Sequence, residues 1–400
     1  MHSSGALSGL RIIEAGSFIA GPFCGQILGD LGADVIKIEP PVAGDAMRRW
    51  GNVRAANGQS LWWSVIARNK RSVTLDLRTP DGQDIFRRLL TEADVLVENF
   101  RPGTLEAWGL GPQVLHEINP ALIVSRVSGF GQTGPDAGKA GFGAVAEARA
   151  GLRHLTGYAD RPSTRVGISI GDSLAGLFSV IGVLSALVER HRSARGQFVD
   201  VAITESVLAV MESTIAEYAA SGKIRERSGP ILPRIAPSNI YPTADGSEVL
   251  IAANADGLFR RLAVAMGQPE LSTDPRFATH DARGENQAEL DELIGRWTQA
   301  HPSPEVLAAM DAAGIPAGAV STARDVARDH HFRTRDAVIE VEDTEIGPVT
   351  MQGVFPRLSA TPGAIRWTGP ALGAHTEEVL SSLVGLDATQ IDNLRRAGIV

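Results

Sequence analysis

The chain has 400 residues, 44% hydrophobic and 21% charged, a composition of globular rather than disordered or fibrous proteins. Its formal net charge of −8 argues against general binding to nucleic acid or acidic membranes, which requires an excess of Lys and Arg. Cys24, the single cysteine, excludes an intrachain disulfide or a cysteine-built metal centre, and a chain this long is expected to form two domains.

The opening MHSSGALSGLRIIEAG has neither the basic start nor the apolar core of a signal peptide, so a cytoplasmic protein is expected. Residues 10–15 read as a strand, 21–31 as a helix with Pro22 in its first turn and Gly32 at its end, and 34–39 as a second strand. Cys24 stands among Phe23, Ile27 and Leu28 and reads as a packed thiol. The alternation continues with a strand at 72–77, a helix at 81–92 and strands at 94–97 and 122–127, which predicts a parallel sheet covered on both faces. The first turn, Gly16-Ser-Phe-Ile-Ala-Gly21, lacks the G-x-G-x-x-G spacing, so a Rossmann-like fold is expected without a nicotinamide cofactor.

Val166, Ile168 and Ile170 alternate with small residues and predict a short strand ended by Gly171. From Leu174 to Val188 apolar residues recur at helical spacing, which predicts a helix with Asp172 at its N-cap. There a carboxylate meets free N–H groups and the positive end of the helix dipole, which favour its ionised form. An N-cap aspartate is ordinarily a structural device, but Gly171, Ser173, Ala175 and Gly176 leave room around this one for a reacting carbonyl. The most apolar part of the helix, 177–188, is shorter than a bilayer.

A strand at 199–203 and a helix around 205–220 follow, and then five Gly and Pro residues between Gly229 and Pro242 read as a linker. A hairpin is predicted through Asp245-Gly246, helices at 257–266, 287–299 and 304–313, and a second hairpin at 337–342 and 348–352. A helical stretch starts near residue 377. The expected fold is α/β: a large Rossmann-like domain from 1–225, an inserted smaller α+β domain over 226–355, and a 356–400 segment that returns to the large domain.

At several places the chain resembles the class III coenzyme A transferases of the CaiB/BaiF type. The resemblance rests on Leu10-Arg-Ile-Ile-Glu-Ala-Gly16 with Ala20-Gly-Pro22, on Leu31-Gly-Ala-Asp-Val-Ile-Lys-Ile-Glu39, and on Asn69-Lys-Arg-Ser72 with Leu75-Asp-Leu-Arg78. It continues through Val97-Glu-Asn-Phe100, Ser128-Gly-Phe-Gly131, Gly171-Asp-Ser173 and Gly196-Gln197. The group includes formyl-CoA and carnitine CoA-transferases and, as cousins, α-methylacyl-CoA racemases.

This resemblance implies an interlocked homodimer, with Asp172 as nucleophile and the CoA thioester as substrate rather than as bound cofactor. It places CoA contacts on Ala20, on Leu75 to Arg78, and on Asn99, Phe100 and Arg101. Pro40 and Ala107 stand where many members carry basic residues, so phosphate contacts are expected on Arg48, Arg68, Lys70, Arg71 or Lys139. Coenzyme A passes between two acids at nearly constant energy, with neither ATP nor metal required, through an aspartyl anhydride and an aspartyl-CoA thioester. Backbone N–H groups of the Gly141-Phe142-Gly143 segment, Gly143 above all, and those following Asp172 are the candidates to stabilise the oxyanions.

Racemization needs two bases, and the family histidine of that branch is replaced here by Phe142, which cannot take a proton. Transferase is therefore the preferred reading over racemase, and over a CoA-binding regulator that has lost turnover. The stretch from Gly141 to Asp172 resembles members that use succinyl-CoA and a C4 to C6 dicarboxylate. The distal carboxylate of such an acid suits a bidentate arginine, with Arg153, Arg165 and Arg234 as candidates.

Overall fold

The computed structural model describes residues 5–400. Contacts cluster into two units: one comprises the chain up to Leu152 with Val166–Ala216 and Asp329–Val400, the other Arg153–Arg165 with Glu217–Arg328.

The first unit is built on six strands: β1 (Arg11–Glu14), β2 (Asp34–Glu39), β3 (Lys70–Thr74), β4 (Val95–Glu98), β5 (Ile123–Ser128) and β6 (Phe198–Ala202). They lie in the order β3-β2-β1-β4-β5-β6, and every pair is parallel. Successive side chains point to opposite faces, so neighbouring apolar residues enter different cores. Ile13, Ile36, Leu96 and Val124 pack on the helices Pro80–Thr91 and Thr376–Val384. On the other face Ile12, Val35, Val95 and Ile123 meet Cys24 and Leu28 of the helix Ala20–Asp30, with Val180 and Val183 of the helix Ile170–Ser193. Pro22 suits the first turn of the Ala20–Asp30 helix, where no N–H partner is required.

The helix Ile170–Ser193 is long and apolar enough to cross a bilayer, but one side of it forms part of this core. Ser179 bonds to Ser125 of β5 at 2.6 Å and to Cys24 at 3.1 Å. Gly176 lies so close to the first helix that a β-carbon would be 3.0 Å from the Ala20 carbonyl oxygen.

The second unit holds an antiparallel sheet of β7 (Ser238–Pro242), β8 (Glu248–Ala252) and β9 (Ala317–Ala319), in that order. Phe259, Leu262, Leu290, Ile294, Val306 and Met310 from its helices form a separate core. The β10 (Val338–Asp343) and β11 (Gly347–Gln352) hairpin belongs to the first unit, so the boundary differs from the expected 226–355. Arg68 binds the hairpin's end through the carbonyls of Gln352 at 2.6 Å and Gly353 at 3.1 Å, long-range bonds that sequence periodicity does not register.

Two further local expectations are corrected. Residues 166–169 form no strand, because the alternating segment has no sheet neighbour; Ile168 is 60% exposed. The predicted helix at 205–220 is two, Ile203–Leu208 and Thr214–Ser221, separated where Glu212 takes a positive φ of 51°.

Candidate active site

The strand order reverses between β1 and β4, and in open parallel sheets ligands bind beyond the carboxyl ends of strands at such a point. Here the loops leaving the two strands are joined by one side chain. Asn99 accepts a hydrogen bond from the Ser17 amide at 2.7 Å and donates to the Ser17 carbonyl at 2.8 Å.

The same loop is held from beneath by a buried ionic network. Lys37, in the middle of β2, donates to the Gly16 carbonyl at 2.8 Å and pairs with Glu14 at 2.8 Å and Asp45 at 2.9 Å. Asp45 in turn accepts from the amides of Phe18 at 3.2 Å and Met47 at 2.9 Å. Burial alone would lower the Lys37 pKa, but the facing carboxylates of Asp45, Glu14 and Glu39 raise it above the ordinary lysine value. Burial likewise works against ionised Glu14, yet Lys37 and Lys70 hold its pKa below the usual carboxylate value.

Asp172 is the third residue of the Ile170–Ser193 helix, whose N-cap is Ser169, and not itself the cap. A carboxylate in the first turn still faces the positive end of the helix dipole. Beside it lies the amino end of the short helix Gly143–Arg149. A β-carbon on Gly143 would be 2.1 Å from Asp172 Oδ2 and 2.7 Å from its Cγ, so only glycine leaves space for this carboxylate. The packing is reciprocal, since a β-carbon on Gly171 would lie 3.2 Å from Cγ of buried Glu147 on the Gly143 helix. Phe142, 52% exposed, meets Phe18 edge-on with ring centres 6.5 Å apart, and Phe18 meets Trp50 at 5.5 Å.

Of the expected CoA contacts, Ala20 is buried in the first turn of its helix, and Leu75 is buried just past β3. Arg78 is exposed and pairs with Asp76 at 2.7 Å, a bond that lowers the carboxylate's pKa. Phe100 packs edge-on against Trp108 at 5.1 Å, while its amide donates to Glu98 at 2.7 Å. Arg101 donates to the Gly138 carbonyl at 2.7 Å, and Lys139 pairs with Asp136 at 2.5 Å. Arg165 and Arg234 belong to the second unit, where Arg234 lies 3.5 Å from Glu285.

Four of the five expected phosphate contacts are engaged inside the protein. Arg68 pairs with Asp30 at 2.6 Å, Lys70 with Glu14 at 2.7 Å, Arg71 with Asp34 at 2.5 Å and Arg48 with Glu39 at 2.7 Å. Arg68 and Lys70 are almost fully buried. Lys139 alone among the five is well exposed, at 60% of its side chain. Burial and the Glu14 charge push the Cys24 thiol up to about 12, which fits the packed thiol read from the sequence.

Sequence reasoning did not single out Glu147, Lys37, Phe18 or Trp50. Lys37 carried a signal: a charge inside the apolar run Asp34-Val-Ile-Lys-Ile-Glu39 is rarely buried without partners. Glu147 follows Gly143 at an i, i+4 spacing, which places both on one face of their helix.

Residues 7–376 match the family described as CoA-transferase family III. The chain is 57% identical over 394 residues to succinyl-CoA:D-citramalate CoA-transferase of Chloroflexus aurantiacus, covering 98% of each chain. It is 35% identical to succinate:glutarate CoA-transferase of Agrobacterium fabrum, over 96% of this chain and 97% of that one. Among solved structures, a CaiB/BaiF family protein from Brucella suis superimposes with a TM-score of 0.85 at 36% identity, over 95% of this chain and all of that one.

Proposed function

Since the chain belongs to CoA-transferase family III, we propose that it moves coenzyme A from succinyl-CoA to a C4 to C6 dicarboxylate of the citramalate type, with Asp172 as nucleophile. The observation that carries this reading is the Asp172 carboxylate seated against Gly143, where any side chain would collide with it. The identity to the citramalate enzyme supports the choice of donor and acceptor.

In the proposed sequence, an Asp172 oxygen attacks the succinyl thioester carbonyl, and the C–S bond breaks to give a succinyl-aspartyl anhydride and the CoA thiolate. The thiolate attacks the aspartyl carbonyl, which forms aspartyl-CoA thioester and releases succinate. The acceptor carboxylate then displaces the thiolate to form a second anhydride. A final thiolate attack on the acceptor's acyl carbon gives the new CoA thioester and restores the Asp172 carboxylate. Each step passes through an oxyanion, and the Gly143 N–H at the amino end of its helix is proposed as a donor, worth about 3–4 kcal/mol where such donors have been removed elsewhere.

Asn99, Phe100, Arg101 and Lys139, with Ala20, Leu75 and Arg78, are proposed to hold the CoA moiety, and Arg165 or Arg234 the distal carboxylate. The second unit is proposed to be an insertion into the first, and two cytoplasmic copies to interlock. Exposed Leu177, Ile181 and Val188 on the Asp172 helix favour a further covered surface.

The test is CoA exchange between succinyl-CoA and a panel of dicarboxylic acids, with Asp172→Asn as control. Exchange that needs Asp172 and prefers citramalate is expected. Undiminished exchange in the variant would remove Asp172 from the mechanism, and α-deuterium incorporation without an acceptor would favour racemization.

A further inference from the structure

We propose that Glu147 is a positioning residue for Asp172, acting through the backbone of Gly171; the inference rests on the reading of Asp172 as nucleophile. Glu147 is 1% exposed, one helical turn beyond Gly143. A carboxylate at such a site is costly unless its oxygens meet polar groups. One of them, Oε1, accepts from the Gly171 amide at 3.5 Å, the residue immediately before Asp172. That N–H belongs to the first turn of the Ile170–Ser193 helix, whose donors have no carbonyl earlier in the helix to bind. Glu147 supplies an acceptor for this turn from another helix.

The two helices pack closely where the contact is made. Gly171 sits between Glu147 and Val207, with a β-carbon at 3.2 Å from one and 3.3 Å from the other, and 3.4 Å from the Gly143 carbonyl oxygen. Gly143 meets Asp172 at one end of this interlock and Glu147 meets Gly171 at the other. A shift of the Gly171 backbone would therefore move the attacking oxygen relative to the Gly143 amide. Glu147 never needs to touch substrate: it sets the angle from which Asp172 approaches the thioester.

Glutamine can accept the same N–H and leucine cannot, so the pair separates acceptance from bulk. Steady-state succinyl-CoA:citramalate exchange, CoA-thioester binding and thermal melting would be measured for wild type, Glu147→Gln, Glu147→Leu and Asp172→Asn. Expected are near-native kcat for the glutamine variant and a fall of about 10- to 100-fold for leucine, the scale of a small misplacement of a reacting group. KM and CoA binding should stay within about twofold, since the residue acts on attack rather than on binding. Native kcat in Glu147→Leu, an equal loss in Glu147→Gln, or a leucine variant in which binding and melting temperature collapse with kcat would each overturn the proposal. Retained exchange in Asp172→Asn would instead overturn the reading of the nucleophile, so the two failures are distinct.

Discussion

Gly143 and Asp172 share one space: the carboxylate fills the volume in which a side chain on residue 143 would begin, at 2.1 Å from the hypothetical β-carbon. The relationship is unusually sharp because the obstructing atom is the group proposed to react. It makes residue 143 a test of geometry that removes no charged group.

Replacing Gly143 by alanine should lower kcat for CoA exchange by at least about 100-fold, because the displaced carboxylate loses its line of attack. The helix backbone at residue 143 does not require a positive φ, so thermal melting should change little beside the catalytic loss. Exchange kinetics and a melting curve on the same preparation check this.

Asn99→Ala should remove both bonds to Ser17 and free the loop after β1. Two bonds of this kind are worth roughly 1–3 kcal/mol together, so KM for succinyl-CoA should rise about tenfold or more. Isothermal titration with CoA, compared with the wild type, measures the effect without turnover.

Lys37→Met should destabilise the fold by about 3–5 kcal/mol, since Glu14 and Asp45 would lose a buried countercharge. Lys139→Ala, at an exposed pair with Asp136, should leave the urea midpoint nearly unchanged. Equal effects in the two variants would contradict the network described beneath the β1 loop.

His375 gives a pH signature. Burial lowers its pKa from 6.5, and Arg71 adds to this against an opposing Glu378. Its Nδ1 accepts the Ser72 amide at 3.2 Å, which also requires that nitrogen to be unprotonated. A histidine that binds its proton more weakly when folded contributes no penalty above the unfolded value of 6.5, and stability falls as pH drops from there toward the lower folded value. Melting temperature should therefore decline below about pH 6.5, and His375→Asn should flatten that part of the curve.

The sheet was legible because parallel strands buried on both faces leave continuous apolar runs, as in Val95-Leu-Val97 and Ile123-Val124. The segment 166–170 shows the limit of that signal, since its alternation matches a strand but finds no neighbouring backbone to pair with. Cap position failed for a related reason: Ser169, Gly171, Asp172 and Ser173 crowd the start of the long helix, and one turn of register separates a cap from a first-turn residue. The basic residues were the least readable. Arg68, Lys70 and Arg71 fall in or beside a motif of the resemblance and Arg48 lies outside any, yet the partners of all of them, Asp30, Glu14, Asp34 and Glu39, are chosen by the packed tertiary structure. Glu147 was invisible for the same reason, its partner lying 24 positions onward in the chain.

The tight seat of Gly176 against the Ala20 carbonyl bears on how turnover is choreographed. The helix that carries the proposed nucleophile thus lies directly against its neighbour, with little room between them for a side chain at residue 176. In the proposed cycle the hand-offs between sulfur and oxygen would then fall to the flexible thiol arm and the small acids, so stiffening the ligand is expected to slow exchange more than tightening this helix contact.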